Sequence, residues 1–324
     1  MKGLAKVDSM TPAAEILRRE IEINGPIPFR RFMETALYHP EHGYYRLPRD
    51  PFGREGDYFT AEQIQPVFGI LISRLVRDLV GHQSKVVELG AGRGEMSAAF
   101  QGLDYVPVDI DRGAMPARFR GVVFANEFFD ALPVELVRRG RDGFRRMMVG
   151  WRTDRFCFVE GSEADAATRE YINTYLSGRE VDTLIEVNLA ALAWIDEIAR
   201  SLERGFLLVI DYGYTARESI RFPAGTLMSY RRHQAIEDVL RDPGRQDITS
   251  HVNFSALELH ATNAGFRTVR FENLSRTLLD AGERDQFAEA LAAEDDAQGL
   301  KRRLQLKTLL FGMGETFRTL LLQK

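Results

Sequence analysis

Cysteine is nearly absent: Cys157 is the only one in 324 residues, which excludes an internal disulfide and any zinc site built from several thiolates. Its neighbours Phe156 and Phe158 mark it as an ordinary strand thiol. Charge of one sign is not in excess either. The 43 basic and 47 acidic residues leave a formal net charge of -4, so composition builds no broad basic surface and nucleic acid is not an expected partner. No apolar run approaches the ~20 residues that span a bilayer, so membrane insertion is not expected. The opening MKGLAKVDSM lacks the apolar core of a secretory signal and is short for a mitochondrial presequence. A cytoplasmic bacterial protein is the expectation, with the mitochondrial matrix the counterpart if the chain is eukaryotic. The hydrophobic share of 44% and charged share of 28% are those of a globular protein.

What is present has a clear order. Residues 11–80 read as mostly helical around a Gly/Pro-rich loop. Thr11 caps a helix opened by Pro12, with Ile16, Leu17 and Ile21 on its apolar face. A second helix follows Pro66, where Phe68, Leu71, Leu75, Val76 and Leu79 recur at helical spacing. From Lys85 the texture changes to short apolar runs: Lys85–Leu89, Tyr105–Ile110, Val122–Ala125 and Phe206–Ile210. The last follows a helix marked by Leu189, Leu192, Ile195, Ile198 and Leu202. Strands alternating with helices predict a parallel sheet covered on both faces. The tail GETFRTLLL reads as an antiparallel edge strand.

The expected fold class is therefore α/β, a Rossmann-like sheet over residues 81–324 behind an N-terminal helical module, residues 1–80. Two stretches interrupt the rhythm near 138–180 and 214–253. The first alternates like a hairpin over 138–160, and the second is rich in Arg, Gly and Pro. Both fall where loops leave the sheet, as substrate-facing insertions do.

The strongest chemical signal is Glu88-Leu-Gly90-Ala-Gly92-Arg-Gly94. Glycines here let the chain turn tightly out of a strand, so that a ligand can lie on bare backbone. A helix is expected to follow and to present free N–H groups. A dinucleotide fold prefers G-x-G-x-x-G, with glycine where this chain has Glu95, a carboxylate that would repel a pyrophosphate. No Gly-Lys-Ser/Thr follows, so a Walker loop fails too. Asp109, 19 residues after Gly90, stands at the end of the next strand, where an acid can hold ribose hydroxyls. An acid, G-x-G-x-G and a second acid resemble the signature of class I methyltransferases, which implies S-adenosyl-L-methionine as the cofactor.

In that class, substrate-contacting residues follow the fourth strand. The slot here reads VVFANEFFDALPVE, with Asn126, Glu127, Asp130 and Glu135 around two phenylalanines. Carboxylates pair bidentately with a guanidinium and can orient one nitrogen for methyl transfer. Glu127 with Asp130 or Glu135 could form such a clamp; acidic capping of a helix is the alternative.

Several stretches together resemble the MidA-type methyltransferase family, whose mitochondrial branch assists assembly of respiratory complex I. They are GPIPFRRFMETALYHPEHGYY, GDYFTAEQIQPVFG, VELGAGRGE, NEFFDALPVE, VIDYGY and GTLMSYRRH…DITSHVNFSAL, and they run from about Thr11 to the tail. The resemblance implies a class I enzyme forming symmetric dimethylarginine on a core complex I subunit or a similar protein. It implies that Glu88, Gly90, Gly92 and Gly94 face the cofactor, with Asp109 on its ribose and Asn126 nearby. Gly56, Asp57, Tyr58 and Thr60 would form a lid, and Glu127 would sit beside the acceptor. The chain departs from the family between Glu95 and Asp104 and after Asp111, where it is short. A truncated first helix and third strand are expected.

Other residues are more ambiguous. Asp211-Tyr212-Gly213 ends a core strand as a turn or a site mouth. His251 either contacts the acceptor or serves as a structural donor. His39 and His42 read as loop-fixing, and no metal is expected. The competing functions are a methyltransferase acting on a small molecule or another side chain, a non-catalytic assembly factor, and a Rossmann dehydrogenase. A homodimer is left open.

Overall fold

The computed structural model describes residues 10–47, 65–81, 84–231, 234–236 and 238–324. The chain divides into two compact units. One gathers Met1–Phe59, Pro133–Leu189 and Arg221–Ser250; the other gathers Thr60–Leu132, Ala190–Ile220 and His251–Lys324.

The second unit is built on a seven-stranded sheet. Lys85–Leu89 lies between Asp104–Val108 and Phe119–Asn126, parallel to both, and Phe119–Asn126 runs parallel to Leu202–Tyr214. Phe317–Gln323 then enters antiparallel between Leu202–Tyr214 and Arg267–Asn273. The tail is thus antiparallel as expected but not an edge strand. Six of its seven residues carry no formal positive charge, and Phe317, Leu320, Leu321 and Leu322 are buried, an apolar run on both faces that suits an interior position. A short strand, Val252–Asn253, pairs in parallel with Gly213 and Tyr214.

Period-two alternation fills both faces of this sheet. Val86, Val122, Phe124, Leu208 and Ile210 point into one core with Phe68, Leu71 and Leu278. Val87, Leu89, Val123, Ala125, Leu207 and Val209 point into the other, with Ile195, Ile198 and Leu257. Helices Val67–Val80, Leu189–Ser201, Phe254–Asn263 and Leu274–Glu283 carry these partners. Fully burying a side chain of this size stabilises by roughly 1.5–3 kcal/mol.

The stretch after the glycine turn is a correction. Where a helix was expected, residues 95–102 form only successive turns, closed by bonds such as Ser97 N–H to Gly94 O and Phe100 N–H to Met96 O. Ten residues from Glu95 must both cover Val86 and return at Asp104 to the start of the next strand, which leaves no room for a regular helix. Asp104–Val108 is the sheet edge: among the described residues the third strand, expected to be truncated, is absent altogether.

The other unit holds helices Pro12–Asn24 and Phe29–Tyr38. Thr11 accepts a bond from Ala14 N–H at 3.0 Å and caps the first of them. They pack with a five-stranded sheet of Ile27–Pro28, Gly143–Arg152, Glu135–Gly140, Leu184–Val187 and Arg155–Glu163. The core there joins Leu17, Phe29, Phe32, Leu136, Val149 and Ile248. The expected hairpin is present: Gly143–Arg152 pairs antiparallel with Arg155–Glu163. Its two turn residues, Thr153 and Asp154, have φ of 50° and 57°, the left-handed pair that matches strand twist in a two-residue hairpin.

Candidate active site

The glycine turn leaves Lys85–Leu89 with three left-handed residues, Gly90, Gly92 and Gly94, at φ 68°, 50° and 85°. A side chain at any of them would be strained. A Cβ on Gly90 would come within 3.0 Å of the Phe128 ring, and one on Gly94 within 3.1 Å of the Arg112 guanidinium. At Gly92, among the described residues, the only atom such a Cβ would meet within 4 Å is Glu95 Oε2, at 3.4 Å. That face of the turn is bare backbone.

Two acids fix the turn. Glu88 is 1% exposed and accepts a hydrogen bond from the Tyr105 hydroxyl. Asp109 accepts from Gly92 N–H at 2.6 Å and from Ile110 N–H at 2.7 Å. The acid at the end of the second strand therefore organises the loop, and each of its oxygens keeps a lone pair for another donor.

A second cluster stands at the carboxyl ends of the two central strands, where ligands meet open α/β sheets. Asn126 closes Phe119–Asn126, and Glu127 follows at φ 49°, its N–H bonded to Ile210 O. A non-glycine residue in that region is strained. Asn126 is 4% exposed; its Nδ2 reaches Glu127 Oε1 at 3.4 Å, and its Oδ1 has no donor among the described residues.

Asp211, fully buried, organises this corner. It accepts hydrogen bonds from the N–H groups of Phe129 at 3.1 Å, Asp130 at 3.4 Å and Tyr212 at 2.9 Å. Burial raises its carboxyl well above the usual range, helped by the charges of Asp130 and Glu127. Burial also lifts Asp130 to about 6, against the pull of its hydrogen bond with Tyr212. Tyr212 meets His251 edge-on at 5.3 Å, and burial lowers the His251 imidazole so that it is neutral at pH 7.

Glu127, Asp130 and His251 are thus brought together, with Asp211 and Tyr212 as the joints between them. Glu135 falls on the Glu135–Gly140 strand in the other unit, where Arg146 Nη2 donates to its Oε2 at 3.0 Å. It already holds a guanidinium, an internal one. Gly56, Asp57, Tyr58 and Thr60 lie outside the described residues. Among the described residues no group of three or more His, Cys, Asp or Glu side chains is arranged for a metal. Instead, His39 and His42 stack at 5.2 Å.

The sequence leaves Asp211 open between a turn and a site mouth, its one signal being its place at the end of a core strand, two before Gly213.

These residues suit a cationic nucleoside cofactor: bare backbone over the turn, acids rather than a phosphate cradle, and a buried acceptor on Asn126 awaiting a donor. Sheet order and site together define a class I methyltransferase. The family model for S-adenosyl-L-methionine-dependent methyltransferase matches residues 101–272. A Burkholderia thailandensis protein solved with S-adenosyl-homocysteine bound is similar at 30% identity and a TM-score of 0.86, covering 96% of this chain and 91% of that one. The Xenopus laevis and Homo sapiens proteins named "Protein arginine methyltransferase NDUFAF7, mitochondrial" are each 26% identical, over 73% and 76% of this chain and 66% and 68% of theirs. The chain spans about two thirds of the length of these relatives. It belongs to the MidA-type family of S-adenosyl-L-methionine-dependent methyltransferases, and S-adenosyl-L-methionine is its cofactor.

Proposed function

We propose that this chain methylates protein arginine, with Glu127 as the residue that grips the acceptor. The observation that carries the reading is the carboxylate cluster of Glu127, Asp130 and Asp211 at the end of the two central strands. Acids gathered so that the charges of Asp130 and Glu127 push up the Asp211 carboxyl form a place where a cation is welcome and a neutral hydroxyl gains little. The names of the mitochondrial relatives support the same acceptor. Symmetric dimethylation on a respiratory complex I core subunit is the finer form of this proposal, and it rests on the family resemblance alone.

On this reading Gly90, Gly92 and Gly94 give the cofactor its backbone bed, Asp109 takes its ribose, and Asn126 Oδ1 accepts one of its donors. The cofactor supplies an electrophilic methyl group on a sulfonium. Glu127, the partly exposed acid, pairs with the guanidinium and aims one nitrogen. Asp211 keeps the Glu127–Asp130 loop in shape through its bonds from the Phe129 and Asp130 N–H groups. Asp130 and the neutral His251 stand ready for the proton that leaves the methylated nitrogen. Alignment of the two reactants is most of the catalysis such a displacement needs.

Glu127→Gln tests the clamp, since it keeps the shape and removes the charge. Calorimetric affinity for S-adenosylhomocysteine should be unchanged. Turnover with labelled methyl donor on an arginine peptide should fall on the order of a hundredfold, as for loss of a charged bond worth roughly 3 kcal/mol. Lost cofactor affinity would make Glu127 a cofactor or structural residue, and undiminished turnover would remove the clamp. Proteome mass spectrometry with and without the protein tests the acceptor, the expected difference being lost arginine dimethylation.

A further inference from the structure

Helix Asp296–Thr308 and the wider turn Leu309–Met313 that continues it are held to the sheet by Leu306, Leu309 and Leu310. Their outer side carries large apolar groups in water. Leu300 and Leu304 are each 55% exposed, and Phe311 is 77% exposed. With Lys307, these residues are spaced four, three and four apart, so they fall along one stripe. Lys301, Arg303 and Lys307 border or interrupt that stripe, and no acid stands between Ala297 and Gly314. The ion pairs found among the described residues, such as Arg74 with Asp285 and Glu289, do not involve these three cations.

We propose that this stripe docks the protein on an anionic membrane surface, with Leu300, Leu304 and Phe311 among the headgroups and the cations on lipid phosphates. Charge complementarity points there. An apolar stripe bordered by Lys and Arg is the pattern of a helix that lies in the plane of an anionic leaflet. Lys307 favours lipid over a protein groove. Set between Leu304 and Phe311, it would need a buried carboxylate in a groove, whereas at a bilayer its stem covers apolar surface and its ammonium reaches the phosphates. A second copy fits less well. Two-fold packing of Leu304 on Leu304 sets Lys301 opposite Lys307 where the axis is perpendicular to the helix, and Lys307 opposite Lys307 where it is parallel. No described helix is long and apolar enough to cross a membrane, so the attachment is peripheral, and with three apolar anchors it is reversible and salt-sensitive.

Flotation of the full-length protein with vesicles decides this. It should rise with vesicles of phosphatidylcholine and phosphatidylglycerol, stay behind with phosphatidylcholine alone, and detach in high salt. Phe311→Ser should weaken the partitioning. The double variant Lys301→Glu, Lys307→Glu should weaken it at least about twentyfold, from about fivefold for each cation neutralised. All of these side chains are surface groups away from the glycine turn, so both variants should keep the parent's affinity for S-adenosylhomocysteine, which certifies the fold. Three results would overturn the proposal: no flotation or equal flotation on neutral vesicles, variants that float like the parent, or a dimer in light scattering that Phe311→Ser dissolves.

Discussion

Burial lifts the Asp130 carboxyl to about 6, and the sign of its effect on stability follows. In the unfolded chain an Asp titrates near 3.9. Between the two values the native state holds more protons, so stability falls as pH rises through that window and the penalty is complete above it. Asp130→Asn removes the group that titrates. Relative to the parent, the variant should therefore gain on the order of 2–3 kcal/mol between about pH 4 and pH 7. Urea midpoints at the two pH values measure this, and a difference independent of pH would mean that Asp130 is not held protonated by its surroundings. At this scale the motif was legible where it was local. Gly90, Gly92, Gly94 and Asp109 stand at fixed spacing because one turn imposes it. Asp211 was legible only as a strand end, turn or site mouth, because its partners are backbone N–H groups 81 and 82 positions earlier, and a backbone donor leaves no trace in the residue type.

The loop from Glu127 to Asp130 is an element without secondary structure, and Asp211 takes the place of a ladder for it. It accepts from the loop's Phe129 and Asp130 N–H groups and from Tyr212 beside it, and a buried donor left unmatched costs about 1–3 kcal/mol. Asp211→Ala should lower stability by on the order of 2–4 kcal/mol, since relief of repulsion from Asp130 and Glu127 offsets part of the loss. Asp211→Asn, which keeps one acceptor oxygen, should lie between the two. A change below about 0.5 kcal/mol in denaturant unfolding, the usual range for surface substitutions, would show that the loop is held by other means. Elements were legible where period and capping agreed, as for Pro12–Asn24 behind Thr11 and for the Thr153–Asp154 hairpin. They were misread where length overrode pattern. The glycine turn has too few residues after it for a helix. The tail strand has an apolar pattern that fits an interior position as well as an edge, and only pairing on both sides separates the two.

At the scale of the molecule, sequence order and spatial order diverge. The chain passes between its two units after Phe59, Leu132, Leu189, Ile220 and Ser250, so neither unit is one continuous piece, and two of the first unit's pieces fall near the stretches around 138–180 and 214–253 that break the strand–helix rhythm. The glycine turn, Asn126, Glu127 and Asp211 nevertheless all belong to the unit of the parallel sheet, which sets what a cofactor can stabilise. A ligand that binds only the native state adds RT ln(1 + [L]/Kd), roughly 2.7 kcal/mol at about 100 times its dissociation constant. S-adenosylhomocysteine should therefore raise the melting transition of that unit by several degrees, whether the other unit melts with it or separately. NAD should not, because the Glu95 carboxylate stands where it would repel a pyrophosphate. Gly92→Val supplies the internal control. At φ 50° a β-branched residue is strained, so the variant should melt somewhat lower than the parent, yet the open face at this position leaves no protein atom to displace. Its own fold should survive while the shift with S-adenosylhomocysteine disappears. A variant that keeps the full shift would move the cofactor off this turn, and a shift with NAD equal to that with S-adenosylhomocysteine would contradict the reading of Glu95.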